Sequence, residues 1–243
     1  MKITNICLAL CLLALPAFSQ EGGAAAPGEK PPGGNVRGLA FQLDSPPTEV
    51  YVHDAATDGR NLGVKLDVKN YLNFEFSSLP IRGKKIVFSK TPDPAGIKNP
   101  DNIVATTTLP DNFHSGILMF LPGTGKKDDP PFRVMVIDDS VRKFPAGSAM
   151  VLNLSPLGVR MEIEDETFLF KSGDRTVIEK IPVAANQMSS VTAYSFDAGK
   201  WQRIAATKWP HPGKKRVIQV LFYDPKTKKV ELRGIRDVAG SNE

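Results

Sequence analysis

The chain has 243 residues, with 31 Lys/Arg against 26 Asp/Glu and a formal charge of +5. Its two cysteines, Cys7 and Cys11, both fall in the first nineteen residues. A chain trimmed of that stretch has no thiol, which excludes disulfides, zinc–thiolate sites and a cysteine nucleophile.

Residues 1–19 read as an export signal. Lys2 supplies the positive start, Ile6 to Leu15 the apolar run, and Ala17-Phe18-Ser19 the small residues that a signal peptidase reads. The run is well short of the roughly 20 apolar residues of a membrane-spanning helix, so no span is expected in the mature chain. The expected address is the periplasm or the cell surface. Residues 20–36 follow, with Gly22-Gly23-Ala24-Ala25-Ala26-Pro27-Gly28 and Pro31-Pro32-Gly33-Gly34. That composition offers little apolar surface to offset the entropy of ordering, and it predicts a disordered tether.

A first β-sandwich domain is predicted over 37–122. Leu39, Phe41 and Leu43 alternate, as do Val50 and Val52, then Leu62, Val64 and Leu66, then Leu72, Phe74 and Phe76. Ile86 to Phe88, Ile103 to Leu109 and Ile117 to Leu121 complete it. Short period-2 runs separated by Pro, Gly, Asn and Asp are the pattern of a sandwich, and no run carries sustained helical spacing. The polar stretch 123–131 is read as a linker, with a long hairpin loop as its rival.

A second sandwich is predicted over 132–238, with a disordered tail at 239–243. Its strands start at Phe132 to Ile137, Met150 to Leu154, Val159 to Ile163, Phe168 to Phe170 and Val177-Ile178. Val191 to Phe196 and Trp201 to Ala206 follow, joined by a turn at Asp197-Ala198-Gly199-Lys200. Asp139 to Phe144 is expected to make a short helical turn. Lys214 to Asp237 reads as a hairpin that organises this half. Its first arm, Val217 to Tyr223, is apolar except at Gln219, as a strand covered on both faces would be. The fold class expected is all-β: two consecutive immunoglobulin-like antiparallel sandwiches.

Catalytic spacings are missing. No Gly-x-Ser-x-Gly elbow occurs, and His53, His114 and His211 lie in no ligand spacing and read as surface histidines. Glu162 and Glu164 alternate with Met161 and Ile163, which puts them on a solvent face. No catalytic residue, metal site or cofactor is assigned. Charge is uneven: residues 200–243 hold eleven Lys/Arg against four Asp/Glu, a net of +7, whereas 20–199 net −3. A basic end suggests an acidic partner, an envelope protein or an anionic glycan. Few aromatics interleave with that basic stretch, which argues against nucleic acid. The candidate binding residues are Tyr194, Trp201 and Trp209, as aromatics suited to stacking, and Lys226, Lys228 and Lys229 in the hairpin turn.

With its signal, its Pro/Gly tether and strands such as Phe132-Arg133-Val134-Met135-Val136-Ile137-Asp138, the chain resembles exported proteins built from immunoglobulin-like sandwiches, some encoded with bacterial pilus machinery. The resemblance implies a non-enzymatic role in envelope assembly or adhesion and carries over no site residue. The alternative is a carbohydrate-binding module using Trp201, Trp209 and Tyr194.

Overall fold

The computed structural model describes residues 34–57, 60–79 and 83–237. The signal, most of the tether and the tail lie outside them. The fold is all-β, with short 3-10 turns in place of α-helices among the described residues.

Eight strands come first: β1 Gly34–Ala40, β2 Glu49–Asp54, β3 Val64–Lys69, β4 Ser77–Leu79, β5 Lys85–Ser89, β6 Ile103–Thr108, β7 Ser115–Pro122 and β8 Phe132–Asp138. They form one sheet in the order β6-β5-β2-β3-β1-β7-β8, with β4 also pairing β1. The sheet curls until its edge strands meet, where the Thr107 hydroxyl of β6 donates to the Val134 carbonyl of β8 at 3.0 Å. The interior of this barrel holds Val36, Val52, Leu66, Ile86, Phe88 and Phe120. β1 starts at Gly34, so three residues assigned to the tether are strand. Val36 is fully buried in that core, and an apolar anchor of this kind is what the rest of the tether lacks.

Eight more strands build two four-stranded sheets: β9 Ala149–Asn153, β10 Val159–Ile163, β11 Glu166–Phe170, β12 Arg175–Ile178, β13 Met188–Asp197, β14 Lys200–Pro210, β15 Arg216–Asp224 and β16 Lys229–Asp237. The middle sheet has the order β12-β9-β15-β16 and the outer sheet β11-β10-β13-β14. β15 alternates between two cores. Ile218, Val220 and Phe222 face Leu39, Ile117 and Met119 of the barrel wall. Leu221 instead joins Met161, Ala193 and Trp209 toward the outer sheet. The middle sheet is therefore covered on both faces, which is why β15 reads as an apolar run.

Several expectations change. β1 pairs β3 and β7 in parallel, and β9 pairs β15 in parallel, so the barrel and middle sheets are mixed, while the outer sheet is antiparallel throughout. The stretch 123–131 turns the chain back into the same sheet: Pro122 is opposite Phe132, and the Gly123 amide donates to the Pro131 carbonyl at 2.9 Å. Leu72, Phe74 and Phe76 are not a strand; Leu72 alone enters the core, while Phe74 is two-thirds exposed. Residues 139–144 do close one turn, with the Phe144 amide donating to the Ser140 carbonyl at 2.8 Å.

Where the barrel meets the middle sheet, four buried charges form one network. Arg37 of β1 donates to Asp237 of β16 and to Asp139, which follows β8. Arg216, the first residue of β15, donates to the same Asp237 carboxylate at 2.6 Å and to the Phe144 carbonyl at 2.9 Å. Ser115 adds a hydroxyl to Asp139. Burial of ions at this cost is tolerated only where charges and hydrogen bonds compensate.

Candidate interaction surface

The outer face of the outer sheet is assembled by cross-strand register. Arg160 of β10 stands opposite Leu169 of β11 on one side and opposite Tyr194 of β13 on the other. Tyr194 is opposite Arg203 of β14, and Phe196 is opposite Trp201. Residues i and i+2 on a strand share a face, so these side chains form one contiguous patch at one end of the sheet.

The patch has a fixed internal geometry. The Arg160 guanidinium lies 4.6 Å from the Tyr194 ring centroid and 5.0 Å from that of Trp201. Phe196 packs on Trp201 with ring centroids 5.1 Å apart. Glu162, two residues along β10, holds Arg160 at 3.3 Å and restrains it. Around this clamp Leu169 is 68 % exposed, Phe196 44 % and Trp201 38 %. Half-buried arginine and tyrosine beside exposed aromatic rings are the composition of binding hot spots.

Trp209 does not join Trp201. The two are eight residues apart, and plain alternation would put them on one face. A β-bulge intervenes: Ala193 pairs with Ala205, but Tyr194 pairs with Arg203, which leaves Ile204 as the extra residue. The bulge shifts the alternation by one, so Trp201 faces out while Trp209 packs inward among Val191, Ala193 and Met161. Tyr194 and Trp201 are therefore brought together, and Trp209 belongs to the core.

The three turn lysines lie elsewhere. Lys226 reaches Asp44 at 3.1 Å, with both side chains in solvent. Lys228 and Lys229 border a groove of about 710 Å³ along the open side of the sandwich, between β14 and β16. Arg203 and Gln202 of β14 form the opposite lip, and Ile204 and Leu232 lie between. β14 thus contributes to the aromatic face and to the groove.

Of the histidines, His53 is buried rather than at the surface. Its Nε2 lies 2.8 Å from the Ser89 hydroxyl, which itself donates to the Thr91 carbonyl. Gly63 makes room for the ring, since a Cβ there would fall 2.6 Å from Nε2. Glu162 and Glu164 are half-buried, and Glu164 accepts a hydrogen bond from the Ser190 amide. Among the described residues no group of three His, Asp or Glu side chains is placed to hold a metal ion.

Arg160 was not singled out by the sequence. Its signal is weak but present: a cation in an otherwise alternating strand, opposite an aromatic once the register is known. Compared with known proteins, the chain matches no family model and no curated sequence.

Proposed function

We propose that this chain is an exported, non-enzymatic envelope protein that acts by contact with an acidic protein surface, through the outer face around Arg160, Tyr194, Phe196 and Trp201. The observation that carries the reading is the clamp itself: one guanidinium held against two rings, with exposed Leu169 and Phe196 beside it. Arg203, opposite Tyr194, and Lys200, beside Trp201, add positive charge next to the apolar patch, which suits a partner rich in carboxylates. Among the described residues, His53 lies beside Ser89, whose hydroxyl is fully buried and donates to the Thr91 carbonyl, which favours binding over hydrolysis there. The likeness to immunoglobulin-like exported proteins supports this reading only at the level of packed sheets.

An anionic glycan is the second reading, favoured by exposed Trp201 next to Tyr194. Arg160 already covers a face of each ring, which leaves less flat surface for a sugar to stack on. Crosslinking in the native cell, identification of the captured protein and titration of the purified pair test the proposal. Trp201→Ala and Leu169→Ala are expected to weaken the pair at least tenfold, and added salt to weaken it further. Recovery of free monomer at every stage overturns it. Binding of a glycan array that is lost in Trp201→Ala decides for the second reading.

A further inference from the structure

We propose that the cleft between the barrel and the middle sheet binds a small organic oxyanion, a carboxylate, sulfate or phosphate carried on an apolar body. The cleft has a volume of about 790 Å³ and lies where β6 and β8 approach β9 and β12. Val136, Met150 and Val177, one from each of three strands, give it apolar walls. Arg142 and Lys143, from the turn after β8, and Arg175, from the start of β12, bring three cations to its rim.

Those cations are available. Among the described residues none of the three enters an ion pair, and all are exposed. The carboxylates nearby are engaged otherwise: Asp111 pairs with Lys84, and Asp138 accepts from the Ser140 amide at 3.0 Å. Arg175 is anchored at one end, where its Nη1 donates to the Val136 carbonyl at 3.0 Å. That bond fixes the plane of the guanidinium and leaves its remaining N–H groups for a ligand. A planar fork of donors matches an anion with two or more oxygens. Three cations against the carboxylates of Asp111 and Asp138 leave the lining net positive, which favours an anion. The apolar walls favour an anion with a carbon skeleton over a fully hydrated inorganic one.

The test uses the full chain with phenyl phosphate, inorganic phosphate and phenol as probes, read by calorimetry and by amide chemical shifts. Phenyl phosphate is expected to bind saturably, more tightly than inorganic phosphate, with shifts confined to residues 107–112, 136–143 and 175–177. Phenol alone is expected not to bind. Arg175→Gln, and Arg142→Glu with Lys143→Glu, are each expected to weaken phenyl phosphate about tenfold or more, the loss of one charge-assisted hydrogen bond. No saturable binding, shifts outside the cleft, or equal affinity for inorganic phosphate overturns the proposal. The shift map is read on the unaltered chain, so it decides the matter even where a charge reversal impairs folding.

Discussion

Arg37 and Asp237 stand 200 residues apart in the chain and meet fork to fork. Nη1 lies 2.6 Å from Oδ1 and Nη2 lies 3.0 Å from Oδ2, with both side chains buried. Asp139 and Arg216 complete the charge balance. Removing one partner leaves an opposite charge in a dry site. Arg37→Met is therefore expected to cost about 3–5 kcal/mol in chemical denaturation, and Arg37→Met with Asp237→Leu clearly less than the sum of the two single changes. Burial alone would lower the Arg37 pKa, but hydrogen bonds and charge from Asp237 and Asp139 outweigh it and hold the pKa above its ordinary value. A cation with a raised folded pKa contributes in full below its unfolded value and loses that contribution only as pH rises through the folded one. The deficit of Arg37→Met should thus be constant between about pH 7 and pH 10. A deficit that shrinks across that range would sink this account.

The β15–β16 hairpin separates packing from charge. Leu221 and Phe222 are buried on opposite faces of β15. Leu221→Ala and Phe222→Ala are each expected to cost about 2–5 kcal/mol, from lost transfer energy plus a cavity. Lys226, Lys228 and Lys229 sit at the turn in solvent, and changing all three to glutamate should shift stability by about 1 kcal/mol or less. Thermal melts compare the two sets directly, and a triple variant that unfolds would contradict the reading.

The β13–β14 turn carries a residue in a costly conformation. Ala198 has φ of 48° and Gly199 of 79°, as a two-residue hairpin loop of the mirror-image type requires. Alanine is poor in the left-handed region, whereas asparagine before glycine is favoured there. Ala198→Asn is expected to raise stability by about 0.5–1 kcal/mol, seen as a higher melting temperature with unchanged binding.

Much of the strand inventory was legible because burial leaves a period. β15 betrays its two covered faces by a near-continuous apolar run, and β10 its one covered face by strict alternation. β4 was not legible: Ser77-Ser78-Leu79 is too short to show a period, while the apolar residues before it mimic one. The partition of the chain at 123–131 was misleading to read because a turn-rich stretch looks alike in a linker and in a hairpin. The candidate site was half legible. Tyr194 and Trp201 announce themselves as aromatics, but the bulge at Ile204 that divides Trp201 from Trp209 has no local signature. The partners of Arg37 lie at positions 139 and 237, and no window of sequence contains them together.

The meeting of β1 with β16 also sets an order in time. A polypeptide is made from its amino end, so Arg37 emerges long before Asp139, Arg216 and Asp237. Until the final strand arrives, Arg37 has Asp139 as its carboxylate partner and lacks the fork-to-fork pair with Asp237. Closing so long a loop costs entropy before any contact is made, and topologies of this kind fold slowly. The barrel face of Leu39, Ile117 and Met119 therefore stays uncovered until β15 has been made.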